Sequence, residues 1–380
     1  MVSALSRAML DSLADLARAR RIVVKIGSAL LVEAGEPRWA WLGSLAGDLA
    51  KLREHGAQVI VVSSGAIALG AARLALPKGG RASLADAQAA AAVGQIQLAD
   101  LWSGALGEHG ITAAQMLLTL DDLEDRRRYL NVAATLGRLL SAGTIPVINE
   151  NDSVATEEIR FGDNDRLAAR VAQAAGADLV LLLSDIDGLY TRDPAEAGAE
   201  LVPVVEAITP EIMAMASAAS SSGLGSGGMR SKLQAAQIAA RAGIALGIIT
   251  GKPAAPISAA VAAGRGTLFQ PQRHDGARKA WLGGRLAPAG ELRVDKGCAE
   301  ALRGGASLLA AGIVGVSGTF RRGDLVSIVS LKGERLAQGL AEYDAAEVQL
   351  IAGRRAEDQA ERLGYAPRAA VIHRDHLVLL

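Results

Sequence analysis

Residues 223–232 read GLGSGGMRSK and lead directly into the apolar-periodic run LQAAQIAARAG. The glycines leave backbone N–H groups uncovered, and the pattern predicts a helix over 229–242, so these groups lie at the positive end of a helix dipole. Lys232 falls about one turn into that helix, where its ammonium can fold back over a bound anion. We interpret the stretch as half of a phosphoryl-transfer site. The alternative is a flexible Gly/Ser linker, and the GxxxxGKS/T P-loop is excluded because no Gly-Lys-Ser/Thr follows the spacer.

Apolar runs on the N-terminal side of this stretch predict buried strands that end in polar residues. The runs are RIVVKI (21–26), QVIVV (58–62), IPVI (145–148) and DLVLLL (178–183). Lys25 lies inside the first run, so it either faces a site at the strand end or snorkels from an edge. In open α/β sheets, ligands bind at the carboxyl ends of the strands. The repeated strand-to-polar transitions therefore indicate one crevice.

The densest polar stretch of the chain follows the strand at 145–148. It contains NENDS (149–153) and then FGDND (161–165). One interpretation is a surface loop whose Asn and Asp side chains close turns, with Asp163 capping a helix over 166–175. The other is a polar ligand site, which is favoured because the stretch follows a strand end and holds more amides and carboxylates than a turn needs.

The order of elements predicts an α/β fold. Helices are predicted over 39–55, 84–106 and 121–141, and further strands over 111–117 and 244–249. This alternation over 21–269 indicates an open, mostly parallel, doubly wound sheet. The pattern changes near Pro271, and the short glycine-punctuated runs beyond it predict a small β-rich barrel with a helix near 298–303. We expect an N-terminal helical extension (1–20), a large domain (21–270) and a small one (278–380).

Composition excludes several classes of protein. The 380 residues carry 40 Lys+Arg and 40 Asp+Glu, a net charge of zero, which argues against binding to nucleic acid or membranes by bulk charge. The only cysteine, Cys298, excludes a disulfide framework and a cysteine-based zinc site, and it favours the reducing cytoplasm. No apolar run has the length of a membrane span, and no secretory signal is expected.

These segments together resemble the glutamate 5-kinases, a branch of the amino-acid kinase family that carries a C-terminal PUA module. The matching blocks, in order, are VVKIGS, VSSGAIALG, AAVGQ, QMLLT, VINENDSVAT, GDND, LLLSDIDGLYT, GLGSGGMRSK and GTLF, followed in the tail by RKAWL, GASLLAAGI, RGD and VIHRD. The resemblance covers most of 20–376. It departs at Ser184 and Ser226, where threonine is usual, and in the first twenty residues.

The resemblance implies roles for individual residues. Lys25 and Lys232 would be catalytic, and Asp165 would orient the two lysines. Ser64, Asp152 and Asn164 would hold glutamate. ATP would be bound by Lys25, Ser184, Asp185, Ser226, Gly227, Gly228, Met229, Arg230, Ser231 and Lys232. No protein ligand is assigned to Mg²⁺, which we expect phosphate oxygens and water to hold.

The implied reaction is phosphorylation of the glutamate side-chain carboxylate by ATP, as the first step of proline biosynthesis. That carboxylate is ionised at neutral pH, so no general base is needed, and the enzyme supplies positioning and charge stabilisation. Further expected partners are proline as feedback inhibitor at the glutamate loop, a reductase that takes the labile product, and a second copy of the chain. Two alternatives stay open: a related kinase acting on acetylglutamate, aspartate or carbamate, and an RNA-binding factor that works through the PUA-like tail.

Overall fold

The structure of the protein, a computed structural model, describes residues 10–154, 163–218, 228–271 and 288–379. The chain divides into two compact units. Of the described residues, the larger contains 10–125, 131–154, 163–218 and 228–271, and the smaller contains 126–130 and 288–379. The predicted domain limits of 21–270 and 278–380 stay a prediction, because residues 272–287 lie outside the described part of the chain.

An eight-stranded sheet forms the centre of the larger unit, with strand order β10-β12-β11-β7-β1-β4-β6-β5. Its strands are β1 (Arg21–Ile26), β4 (Gln58–Ser63), β5 (Ala113–Leu118), β6 (Ile145–Glu150), β7 (Leu179–Ser184), β10 (Val204–Val205), β11 (Ala245–Thr250) and β12 (Thr267–Phe269). Two short hairpins lie beside it, β2 (Val32–Glu33) with β3 (Glu36–Pro37) and β8 (Leu189–Tyr190) with β9 (Leu201–Val202). All neighbouring pairs in the sheet are parallel except β11 with β12. The predicted open, mostly parallel sheet is confirmed.

In the described part of the chain, ten α-helices lie between Ser28 and Ala263. They are α1 (Ser28–Leu31), α2 (Trp39–Glu54), α3 (Ala66–Arg73), α4 (Leu84–Gly107), α5 (Leu120–Glu124), α6 (Arg126–Ser141), α7 (Asp163–Ala175), α8 (Pro210–Ala218), α9 (Gly228–Arg241) and α10 (Pro256–Ala263). The single helix predicted over 121–141 was wrong. Asp125 adopts an extended backbone that ends α5, and the capping box of Thr119 and Asp122 starts α5 as a separate helix.

The central strands are buried on both faces, as their unbroken Val, Ile and Leu runs predict. The described part of the N-terminal segment contributes to the same core. Leu13–Arg18 forms a 3₁₀-helix, and Leu10, Leu13 and Leu16 pack into the cluster that contains the β1 side chains. Residues 1–9 of the predicted N-terminal helix lie outside the described residues. Within the described residues, no helix has the length and apolar character needed to cross a membrane.

The smaller unit contains a five-stranded sheet with strand order β14-β13-β15-β16-β17. Its strands are β13 (Gly290–Val294), β14 (Ile313–Gly318), β15 (Leu325–Val329), β16 (Arg335–Leu340) and β17 (Leu377–Leu379), and its helices are α11 (Lys296–Arg303), α12 (Ala345–Ile351) and α13 (Ala356–Leu363). The predicted β-rich character and the helix near 298–303 are confirmed. Helices α12 and α13 were not predicted, although the residues Asp344 and Glu347, which form a capping box, are a recognisable helix start.

Candidate active site

The site lies where the sheet reverses its strand order. Strand β1 lies between β4 and β7, so the chain continues to one side of β1 and later to the other. Such a switch point opens a crevice at the carboxyl ends of the strands. Lys25 is the next-to-last residue of β1, and its side chain is only 10% exposed. Of the two interpretations of Lys25, the structure supports the one in which it faces a site at the strand end.

Lys25 and Lys232 share one buried carboxylate. The Lys25 Nζ lies 2.6 Å from Asp165 Oδ1, and the Lys232 Nζ lies 3.2 Å from Asp165 Oδ2. The Asp165 side chain is 1% exposed. Burial alone would raise the pKa of Asp165, but the charges and hydrogen bonds of the two lysines outweigh it and hold that pKa below its ordinary value. The three groups therefore form a charged triad with two ammonium groups and one carboxylate.

Helices α7 and α9 bring the second and third members of the triad to the strand. The two helices pack together. Asp165 lies in the first turn of α7, and Lys232 lies directly after the first turn of α9. The interpretation in which Asp163 caps a helix beginning at residue 166 was wrong in its bounds, because α7 begins at Asp163 itself. As a result, Asn164 and Asp165 are helical residues at the positive end of the α7 dipole.

A chain of hydrogen-bonded polar side chains lies at the ends of β4 and β6. The Asn164 Nδ2 donates to Ser64 Oγ at 2.7 Å and to Asn149 Oδ1 at 3.2 Å. The Asn149 Nδ2 donates in turn to Gln95 Oε1 at 2.8 Å. The Asn164 Oδ1 is buried and, in the described part of the chain, has no hydrogen-bond partner. A buried acceptor without a donor is costly, which is typical of a place where a ligand supplies the donor.

The other predicted site residues lie in three separate segments of the chain. Asp152 is buried in a 3₁₀-helix, Asp152–Val154, directly after β6. Ser184 is buried at the end of β7, and its Oγ donates to Asp185 Oδ1 at 3.0 Å. Gly228, Met229, Arg230 and Ser231 form the first turn of α9, in which Ser231 is buried and Arg230 is exposed. Ser226 and Gly227 lie outside the described residues.

Two polar residues of the site were not predicted as site residues. Asn149 belongs to the polar stretch that the sequence singled out, so its position after β6 was a usable signal. Gln95 lies in the Ala-rich helix α4 and looks like any polar residue on a helix surface. Only the tertiary structure distinguishes it from Gln97. Among the residues that the structure describes, no cluster of three or more His, Cys, Asp or Glu side chains is suited to hold a metal ion.

Comparison with known proteins agrees with this geometry. The model of the amino acid kinase family matches residues 20–250, and the model of the PUA domain matches residues 290–363. A protein named glutamate 5-kinase from Novosphingobium aromaticivorans is 65% identical over 361 residues, which cover 95% of this chain and 96% of that protein. Proteins of the same name from Sphingopyxis alaskensis and Zymomonas mobilis are 60% and 54% identical, over 95% of this chain and 97% and 91% of theirs. The chain belongs to the amino acid kinase family and, within it, to the glutamate 5-kinases.

Proposed function

We propose that this chain transfers the γ-phosphoryl group of ATP to the side-chain carboxylate of L-glutamate, giving L-glutamyl 5-phosphate for proline biosynthesis. The observation that carries the proposal is the buried triad of Lys25, Asp165 and Lys232 at the switch point of the sheet. The similarity of this chain, over almost its full length, to proteins named glutamate 5-kinase supports the choice of glutamate as acceptor.

The triad suits the charge changes of phosphoryl transfer. The acceptor oxygen is already ionised at neutral pH, so the enzyme needs no general base to activate it. Negative charge moves toward the leaving phosphate oxygens during the reaction, and two fixed ammonium groups can stabilise it. Asp165 keeps both lysines in place because it offers one oxygen to each. In this account Lys25 and Lys232 are catalytic, and Asp165 orients them.

The nucleotide would lie against the first turn of α9 and the end of β7. Gly228 begins α9, and the backbone N–H groups of Gly228, Met229 and Arg230 lie in the first turn, where the helix has no residue four positions earlier to accept from them. Such groups bind phosphate oxygens, as the sequence analysis predicts for 226–232. Ser184, the last residue of β7, and Asp185 form a hydrogen-bonded pair, which we propose contacts the nucleoside.

Magnesium is proposed as the companion of ATP, with no protein ligand of its own. Asp165 is engaged by two ammonium groups, so its carboxylate is not free to coordinate a cation. Phosphate oxygens and water would therefore hold Mg²⁺, which neutralises charge on the β- and γ-phosphates when it is bound.

Glutamate would be held by Ser64, Asp152 and Asn164. Its α-ammonium needs acceptors, and the Asp152 carboxylate and the unpartnered Asn164 Oδ1 are buried acceptors near the ends of β4 and β6. Ser64 is placed by Gly65, whose φ of 127° lies in the left-handed region that favours glycine. This turn directs the chain from β4 into α3 immediately after Ser64.

Several partners are proposed on chemical grounds. The product is a carboxylic–phosphoric anhydride that hydrolyses readily, so a reductase that takes it directly would protect it. Proline resembles glutamate in its α-carboxylate and amine, and we propose it as a feedback inhibitor at the glutamate loop. A cytoplasmic location fits a single cysteine, and a homo-oligomer is the proposed assembly.

The proposal is tested by trapping the product. The chain is incubated with ATP, Mg²⁺ and hydroxylamine together with L-glutamate, N-acetyl-L-glutamate or L-aspartate, and hydroxamate formation is measured. We expect glutamate to give the highest kcat/KM by at least about 100-fold, because buried polar groups left unpaired by a wrong acceptor are costly. Equal or better turnover with either of the other acceptors would assign the chain to a different acceptor within the family.

A further inference from the structure

The side-chain amides of Gln95, Asn149 and Asn164 form a hydrogen-bonded chain. The direction of donation along it decides whether the site displays a carbonyl or an N–H to a substrate. The Asn164 Nδ2 carries two hydrogens, and both are used, one by Ser64 Oγ and one by Asn149 Oδ1. Its Oδ1 is therefore left as a buried acceptor. Asn149 takes part with both ends of its amide, because its carbonyl accepts from Asn164 and its own Nδ2 donates to Gln95 Oε1.

Reversing the direction of donation along these hydrogen bonds would change the group that the site displays to a substrate. If residue 95 donated, Asn149 would accept from it and turn its Nδ2 toward Asn164. The Asn164 carbonyl would then accept that hydrogen, and a spare N–H would face the site in place of an acceptor. A site that displays an N–H suits a carboxylate, whereas a site that displays a carbonyl suits an ammonium. Residue 95, at the far end of this hydrogen-bonded chain, therefore selects between an N–H and a carbonyl at the site.

Gln95 is held at that end by the packing of α4. Gly94 precedes it, and a Cβ at position 94 would overlap the Ala66 carbonyl oxygen, so α4 and α3 cross with their backbones in contact. Two turns further along α4, Trp102 is fully buried, and its Nε1 donates to Ser63 Oγ at 2.9 Å. Residues 95 and 102 lie on the same side of the helix because seven residues make about two turns. The helix is thereby fixed to the end of β4 on either side of Gln95.

We propose that Gln95 is a positioning residue that sets the polarity of the Gln95–Asn149–Asn164 chain and so turns the Asn164 carbonyl toward the α-ammonium of glutamate. Gln95 does not touch the substrate in this account. It acts two side chains away, through Asn149. The inference rests on the proposed function, since it takes Asn164 to be a glutamate contact.

The chemistry of residue 95 provides the test. Gln95→Met removes the acceptor and should raise the KM for glutamate about tenfold, equivalent to about 1.4 kcal/mol, with kcat and the KM for ATP changed less than about twofold. Gln95→Glu can only accept, so it preserves the polarity and should keep the glutamate KM within about threefold of wild type. Simple charge repulsion predicts the opposite for Gln95→Glu, because glutamate carries a net negative charge. Gln97→Met, on the other side of the same helix, is the matched control and should behave as wild type.

A double-mutant cycle shows whether Gln95 acts through Asn164. In the Asn164→Ala background, Gln95→Met should change glutamate kcat/KM by less than about twofold, because the side chain whose orientation it controls is gone. Melting temperatures of all variants check folding. If Gln95→Met does not fold, Gln95→Lys, which can only donate, takes its place and should raise the glutamate KM.

Three results would overturn the inference: an unchanged glutamate KM in Gln95→Met, a loss in Gln95→Glu as large as in Gln95→Met, or an undiminished effect in the Asn164→Ala background. Failure of the proposed function would look different, because the wild-type chain would then show no turnover with glutamate in the first place. The two failures are therefore separated by the wild-type measurement.

Discussion

The two sheets of this protein are built from similar apolar strands, yet they bury different groups. Among the described residues of the larger unit, the buried charged side chains are Lys25, Asp48, Asp152, Asp165 and Lys232. The buried polar residues of the five-stranded sheet and its helices, by contrast, are the uncharged Ser327 and Gln359. Burying a charge is expensive unless a partner or a function compensates for it. The difference therefore indicates that the chemistry belongs to the larger sheet.

Asp48 shows that a buried charge can also be structural. It lies in the middle of α2, and its Oδ2 accepts hydrogen bonds from the backbone N–H groups of Ile257 and Ser258 at 2.9 and 3.1 Å. Both donors belong to the first turn of α10, so Asp48 satisfies the end of a neighbouring helix. We therefore expect some buried charges of the larger unit to affect catalysis when removed, and others, such as Asp48, to affect only stability.

The largest effect is expected at Asp165. Asp165→Asn preserves the shape of the side chain but leaves two buried ammonium groups to repel each other. We expect kcat to fall by about 1000-fold or more and stability to fall by about 3 kcal/mol, as is typical when one partner of a buried ion pair is removed.

Steady-state kinetics and urea unfolding measure the two effects. Asp358→Asn, an exposed carboxylate in α13 of the smaller unit, is the control and should change stability by less than about 0.5 kcal/mol. Turnover near the wild-type level in Asp165→Asn would show that the triad does not organise the site.

A large effect on binding rather than on turnover is expected at Asp152. Asp152→Asn removes a buried negative charge that the α-ammonium of glutamate would pair with. Glutamate affinity should fall about 100-fold, which corresponds to about 2.7 kcal/mol, while ATP affinity stays within about threefold. Calorimetric titrations with each substrate separate the two affinities. Equal losses for glutamate and ATP would mean that Asp152 supports the fold of the whole crevice.

The acid stability of the larger unit should depend on Asp165. Its pKa is lower in the folded chain than the ordinary value of 3.8, because the two lysines outweigh the effect of burial. The stabilisation is therefore complete above the unfolded-state pKa and is lost as the pH falls through the lower folded-state value. The difference in unfolding free energy between wild type and Asp165→Asn should shrink when urea titrations are taken from about pH 7 to about pH 3. A difference that stays constant or widens on acidification would show that the Asp165 charge contributes no stability.

The smallest effect is expected at Cys298 in the smaller unit. Burial, assisted by the Asp295 carboxylate, raises the pKa of Cys298 to about 11. At pH 8 only roughly 0.1% of this thiol is ionised, so iodoacetamide should react with it about 100-fold more slowly than with glutathione. Cys298→Ala should keep kcat within about twofold. Rapid alkylation that abolishes turnover would place reactive chemistry in the smaller unit.

Much of the larger sheet could be predicted from local patterns. The runs at 21–26, 58–62 and 178–183 are mostly Val, Ile and Leu, which indicates strands buried on both faces. The polar residues Lys25, Ser63 and Ser184 lie at or next to their carboxyl ends, in or next to the crevice. Asp165 and the two lysines are far apart in the chain, and their grouping was predicted only through the resemblance to known kinases. Composition and periodicity alone do not bring these three residues together.

Other features depend on tertiary packing and carry no local signal. Gln95 and Gln97 differ only in the side of α4 on which they lie, and the contact of Gly94 with α3 decides which of them meets Asn149. Asp48 looks like a solvated helix residue until α10 packs against it. The break between α5 and α6 depends on one extended residue, Asp125, in a stretch that otherwise has a helical composition.

The central claim is that Lys25 and Lys232 stabilise the charge that moves during phosphoryl transfer in the larger sheet. The most direct test is the single-turnover rate of γ-phosphoryl transfer from ATP to glutamate in wild type, Lys25→Met, Lys232→Met and the control Lys332→Met, an exposed lysine of the smaller unit. We predict a fall of about 100-fold, equivalent to about 3 kcal/mol, for each crevice lysine, with glutamate affinity changed less than about threefold and Lys332→Met at the wild-type rate. A wild-type transfer rate in either crevice variant would contradict the account.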